Sequence, residues 1–255
     1  MFHFDRNFRA LCASAPWFFA GIWLFHANAH AMGKHTAVHL ARLKLPDLPN
    51  NRPRALSTML LRLTERTSIK IGIDIPELSP QDARLFRYPM LVLTGNKGFS
   101  ALPAQDILRL RAYLSNGGLL WIDRSEDDKD GDFDKSARRL AKRIFPQSTL
   151  QKLSIEHTIY RSFYLIRRFG GRILRESYIE GITIDDRSPI LYSMNDYTGA
   201  WERDSFGNWA FAVIPGDQAQ RENAFRIGIN ILMYALCVNY KQDLVHAPAI
   251  LRRRR

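Results

Sequence analysis

The chain has 255 residues, with 37 Lys and Arg against 25 Asp and Glu, a formal net charge of +12. That length suits one large domain or two small ones. Only Cys12 and Cys237 carry thiols, which excludes a disulfide-stapled fold and leaves stability to an apolar core.

Arg6 and Arg9 precede an apolar run from Leu11 to Phe25, and Ala29-His30-Ala31 supplies a small-residue site. A basic start, a short apolar stretch and an A-x-A site are the layout of a secretory signal. This predicts a signal peptide over residues 1–31, cleaved after Ala31, and export to the periplasm. An inner-membrane anchor left uncleaved is the alternative, although Pro16 interrupts the run and it falls short of the roughly 20 apolar residues of a span. Cleavage would remove Cys12 and leave Cys237, flanked by Leu236 and Val238, as a buried, inert thiol.

Residues 32–242 read as one α/β domain and residues 243–255 as a basic tail. HTAVHLARLKL suggests a first strand, PDLPNNRP a loop, and PRALSTMLLRLTERT a helix from Pro53 with Leu56, Met59, Leu60 and Leu63 on one side. SIKIGI reads as a strand and PELSPQDARLF as an irregular or helical connection. YPMLVLTG, then a helix from Pro103 to Asn116-Gly117, then GLLWID form a βαβ unit, since short apolar strands alternating with amphipathic helices imply a parallel sheet covered on both faces. Ligands of such sheets collect at the carboxyl ends of the strands, where Thr94, Gly95, Asn96 and Asp123 fall. EHTIYRSFYLI suggests an extended segment, GITID and SPILYSMND a hairpin through Asp186-Arg187, NWAFAVI a further strand, and RENAFRIGINILMYALCV a closing helix with Phe225, Ile229, Leu232 and Leu236 aligned.

SEDDKDGDFDKS, residues 125–136, concentrates acid in a basic chain. Counted from Glu126, Asp128, Asp130, Asp132 and Asp134 take calcium-loop positions around Gly131, but Ala137 stands where a closing Glu is needed. Ca2+ is therefore an open alternative rather than an assigned cofactor. Ala137 belongs instead with Leu140, Ala141 and Ile144 on the apolar side of a helix capped by Asp134, with Lys135, Arg138, Arg139, Lys142 and Arg143 on its outer face. That face and the basic tail suit water or an anionic envelope surface; no nucleic-acid recognition motif appears.

RLFRYPMLVLTGNKGFS, LRAYLSNGGLLWID, EHTIYRSFY, YSMNDYTGAWE and FRIGINILMYAL, in this order, resemble the bacterial family called domain of unknown function 4159. The resemblance covers nearly all of the chain after the signal. It implies a flavodoxin-like, class I glutamine amidotransferase-like three-layer sandwich, partners among envelope proteins linked to MoxR-type ATPases and von Willebrand A-domain proteins, and no established activity. It also places Asp123, His157, Asn195, Asp196, Trp201 and Glu202 at recurrent motif positions. Asn96 stands where many members carry histidine, and Arg124 where a second acid often follows Asp123.

An amidotransferase needs a cysteine on the strand-to-helix elbow. Ile122-Asp123-Arg124-Ser125-Glu126 contains none, so glutaminase chemistry is excluded by residue type. Ser125 lacks a G-x-S-x-G frame and reads as a turn serine. Asp123, His157, Asp196 and Glu202 could converge as an acid-base set for an envelope hydrolase. The competing reading makes His157 a structural histidine at a strand entrance, Asn195-Asp196 a turn, and Trp201 a packing residue. Thr94, Gly95, Asn96, Asp123, Arg187, Asn195, Asp196 and Trp201 are the ligand-binding candidates. His35-x-x-x-His39 on a strand would separate two imidazoles by about 13 Å, too far for one zinc ion. The expectation from sequence is a non-catalytic exported module; the alternatives are the hydrolase and a calcium-supported structural domain.

Overall fold

A computed structural model describes residues 37–72, 74–128 and 131–252, with side chains through Cys237. The signal segment, His35, Asp130 and the last three arginines lie outside the described residues, as do the side chains of the basic tail.

Seven strands form one sheet: β1 (Ala41–Leu43), β2 (Glu77–Leu78), β3 (Met90–Gly95), β4 (Leu119–Arg124), β5 (Gln151–Lys152), β6 (Glu180–Ile184) and β7 (Arg187–Ser193). Their order is β2-β1-β3-β4-β7-β6-β5. The first five positions are parallel, and β6 pairs antiparallel with both β7 and β5. Counted among themselves, the parallel strands run 2-1-3-4-5, the flavodoxin-like order, with its reversal point between β1 and β3.

β3 and β4 are buried along their whole length because both faces are covered. Alternation sends Val92, Trp121 and Leu191 to one face, under α1 (Ala55–Arg66), α4 (Tyr197–Trp201) and α5 (Gln218–Arg252). Leu91, Leu93, Leu120, Ile122, Ile190 and Tyr192 face α2 (Ala104–Ser115) and α3 (Asp132–Ile144). Each such Leu, Ile or Val contributes roughly 1.5–3 kcal/mol on burial, so the sheet carries both cores.

The expected stripes are inside: Leu56, Met59, Leu60 and Leu63 on α1, and Ala137, Leu140, Ala141 and Ile144 on α3. Gly117 follows the Asn116 cap of α2 with φ +102°, a left-handed stop that suits glycine. Asp185 and Asp186 both take positive φ in the β6–β7 hairpin, as its two-residue turn requires.

Five local expectations change. SIKIGI contributes one bridge, Val38 to Ile71, rather than a strand, and NWAFAVI contributes two isolated bridges outside the sheet. EHTIYRSFYLI is not extended; Thr158–Tyr160 is a 3₁₀ turn. α3 starts at Asp132 with Gly131 as its N-cap, so Asp134 lies inside the first turn and does not cap it. Cys237 is exposed, because the core contacts of α5 end near Ala235 and Leu236.

Candidate functional site

The carboxyl ends of β3, β4 and β7 carry Thr94, Asp123 and Ser193 in register. Asp123 is fully buried on the α1 and α4 side. One carboxylate oxygen accepts from Ser193 Oγ at 2.6 Å and from Tyr197 N at 3.2 Å. The other accepts from Thr198 N and Thr198 Oγ1, both at 2.7 Å. Burial, and then the charge of Asp196, push the Asp123 carboxyl up to about 6. Such a value suits a proton-transfer group. Four donors saturate it, however, and it lines none of the cavities that the described residues form at this edge of the sheet.

Asp196 follows one turn away, at φ +50°, a left-handed conformation that Asp tolerates. It accepts from Gly199 N at 2.7 Å, capping α4, and from Arg52 Nη2 at 2.9 Å. Arg172 Nε reaches the same Oδ2, and its Nη2 reaches Asp127 of the acidic loop. Asp196, Arg52 and Arg172 are all buried, and Phe211 lies 4.3 Å and 5.5 Å from the two guanidinium carbons. Two buried cations around one buried anion therefore join the loop before α1, the loop before α4 and the segment around Arg172.

The remaining candidates are also committed. Asn195 Oδ1 accepts from Arg175 N and Glu176 N, while its Nδ2 donates to Gly170 O and Glu176 O; it shapes the 170–176 loop. Glu202 takes the Arg54 N–H at 3.2 Å on each oxygen, serving as a distant acidic cap for α1, whose first turn holds no acid of its own. Burial pushes its carboxyl up, although the Arg54 bond opposes this. Trp201 packs against Trp121 and Phe225, as the packing reading expects. A Cβ on Gly95 would stand 2.4 Å from the Phe133 ring, so its glycine is needed for helix packing rather than for ligand approach. Asn96 is exposed.

Two expected members lie elsewhere. His157 bonds to Ser188 Oγ at 3.1 Å, near the amino end of β7. Five residues separate Ser188 from Ser193, about 16 Å along a strand, so His157 does not join Asp123 and Asp196. Its Nδ1 accepts from Ile159 N, capping the 3₁₀ turn, and burial pulls its pKa down. Arg187 donates to Gly118 O at 3.0 Å and to Leu114 O, also at the base of the sheet. The alternating pattern of β7 is compatible with either end; only the register assigns these residues.

The acidic loop is held by arginine and backbone. Glu126 Oε1 accepts from Phe133 N at 3.4 Å, and its Oε2 lies 3.4 Å from Arg124 Nε. Asp134 accepts from Arg138 at 3.0 Å and from Tyr192 Oη at 2.7 Å, and Asp132 pairs with Lys135. Because α3 begins at Asp132, neither aspartate lies in an open loop with Asp128. Among the described residues no group of three His, Cys, Asp or Glu side chains could hold a metal ion. Ser125 Oγ accepts from Asn51 Nδ2 at 2.7 Å, with no histidine in that bond.

Sequence reasoning passed over Arg52, Arg172, Arg175, Ser193 and Thr198. Their only signal was a polar residue type, and their partners lie far along the chain. Cavities open here among the described residues. One of about 230 Å³ lies at the β1/β3 reversal point, lined by Arg42, Lys44, Asp47, Glu77, Thr94 and Lys97. Another, of about 390 Å³, lies on the α3 side, beyond Arg124. Thr94 Oγ1, Asn51 Oδ1 and Arg124 Nη2 are buried with no hydrogen-bond partner among the described residues. Leaving such an atom unpaired costs about 1–3 kcal/mol. Their gathering at the strand ends marks this edge as the candidate site.

No curated protein matches the chain. The family model described as a domain of unknown function, DUF4159, matches residues 39–236, from the entry to β1 through the core-packed part of α5, and the chain belongs to that family.

Proposed function

We propose that the chain acts, after export, as a non-catalytic binding module whose recognition edge is the set of loops at the carboxyl ends of β1, β3, β4 and β7. The observation that carries this reading is Asp123. It holds the strand-end position from which a reacting group would act, yet it is fully buried and spends both oxygens on Ser193, Tyr197 and Thr198. With His157 at the other end of β7, the hydrolase set lacks its base. The cavity at the β1/β3 reversal point, where Thr94 Oγ1 has no partner among the described residues and Lys44 and Lys97 stand beside Asp47 and Glu77, is where a ligand or partner group would enter. The signal-like segment over residues 1–31 supports an envelope location, and partners linked to MoxR-type ATPases and von Willebrand A-domain proteins fit that location.

The test compares the mature protein with Asp123→Asn, both shown to be folded by circular dichroism, on amide, ester, phosphomonoester and glycoside reporters. Equal background rates support the binding reading. Turnover that is present in the parent and lost in the folded variant ends it.

A further inference from the structure

Arg124 is the last residue of β4 and points to the α3 side, opposite Asp123. It is 1% exposed. A buried guanidinium requires counter-charge and acceptors for its fork of donors. Among the described residues Arg124 has one ion-pair partner, Glu126, at a long 3.4 Å, and Glu126 also accepts from the amide of Phe133. Arg124 Nε and Nη2 make no hydrogen bond among the described residues.

Arg124 lines the cavity of about 390 Å³ together with Arg175, Tyr178, Glu176 and Met194. Arg175 is anchored at its base, donating Nη1 to Met194 O at 3.2 Å and Nη2 to Asp127 O at 2.6 Å. Two of the acids on the wall are already spoken for. Arg138 bonds Asp134 at 3.0 Å and Glu180 at 2.7 Å, so that cluster is paired within itself rather than with Arg124. Lys152 lies 4.6 Å from the ring centre of Tyr178, a residue of this wall. Burial and then the charges of Arg124 and Arg172 draw the Arg175 pKa down, which reports the like-charge crowding that an anion would relieve.

We infer that this cavity binds an oxyanion group, a carboxylate or a phosphate, between the guanidinium groups of Arg124 and Arg175. Guanidinium forks match the paired oxygens of both groups, and Arg124 offers the unfilled donors. Glu176 on the wall favours a singly charged group over a dense polyanion. This cavity is a second entry on the same recognition edge, separate from the one at the β1/β3 reversal point; it names a ligand class for the binding module proposed above and rests on that reading.

The experiment titrates the mature protein with inorganic phosphate and, separately, with acetate, following the thermal midpoint against sodium chloride of equal ionic strength. At a concentration tenfold above half-saturation, a specific ligand raises the midpoint by roughly 3–6 °C. Saturation by phosphate assigns a phosphoryl group, and saturation by acetate a carboxylate; either supports the inference. Arg175→Ala, whose parent side chain is only half-buried, should fold and lose the shift. Arg124→Lys, which keeps the charge but not the fork, should weaken binding at least tenfold. No shift beyond the chloride control, or an equal shift in folded Arg175→Ala, overturns the inference. Neither outcome bears on catalysis, which the Asp123→Asn comparison decides separately.

Discussion

Arg52 Nη2 and Asp196 Oδ2 meet at 2.9 Å across 144 positions of sequence, with both side chains buried. The bond ties the loop that leads into α1 to the loop that leads into α4, and Arg172 completes it from a third segment. Removing the anion leaves two buried cations facing each other. Asp196→Ala should therefore cost at least about 3 kcal/mol, read as a lower urea midpoint at unchanged slope. A loss below about 1 kcal/mol would show that water replaces the carboxylate freely.

Asp123 and His157 should impose opposite slopes on stability. The folded-state pKa of Asp123 is raised from 3.8 to about 6, so the folded protein holds its proton where the unfolded chain has lost it. Its contribution declines as pH rises from about 4 to about 6. Asp123→Asn should flatten that decline. It should also cost about 1–3 kcal/mol near neutrality, because an amide cannot accept from both the Tyr197 and Thr198 backbone groups. Urea unfolding of parent and variant at pH 4, 5, 6 and 7 measures both effects; parallel profiles would contradict them.

For His157 the folded value lies below the ordinary 6.5 because the ring is buried. The unfolded chain therefore binds the proton first, and stability falls as pH drops below 6.5. Protonation also removes the Nδ1 acceptor that holds Ile159 N at 3.2 Å. His157→Gln should lessen the acid-side loss of stability without altering anion binding at the other end of the sheet. An effect on phosphate or acetate titration would mean that the two ends communicate.

Gly95→Ala should destabilise by about 1–3 kcal/mol, since its new methyl would stand 2.4 Å from the Phe133 ring and 2.8 Å from Leu48 Cδ1. Phe133→Leu in the same chain should recover part of that loss, which a double-mutant cycle reads directly. Additive losses would assign the glycine some role other than packing.

Glu202→Ala removes the carboxylate that receives the first amide before α1. A cap of this kind is worth about 0.5–2 kcal/mol. Faster amide exchange confined to the first turn of α1 is the expected signature; unchanged exchange there would show that solvent serves equally well.

Much of the fold was legible from the residues alone. β3, α2 and β4 follow from runs whose period and length allow one reading, with Pro103 and Asn116-Gly117 marking the helix ends. The stripe on α3 placed Ala137 in the core and so weakened the calcium reading. These features are local: apolar periodicity, a capping residue or a left-handed glycine acts within a few positions. Family membership was legible for a related reason, because most of the quoted blocks lie on β3, β4, α4 and α5, and EHTIYRSFY on the Thr158–Tyr160 turn, segments that build the centre of the sheet and its packing.

The functional edge was decided by tertiary structure. Nothing near His157 tells whether it faces the carboxyl or the amino end of β7; only its bond to Ser188, about 16 Å along the strand from the Ser193 that holds Asp123, decides it. Asp123 read as a candidate reacting group from its place after an apolar strand; the distant donors Ser193, Tyr197 and Thr198 make it a buried junction. Arg124 appeared in the sequence as a departure from an acid pair, and the cavity beside it is what turns its unfilled donors into a binding site. Residue type and spacing determined the central strands β3 and β4, the helices packed on them and the missing nucleophile. Electrostatic pairing between residues far apart in sequence determined which charges were spent on folding and which remained for a ligand.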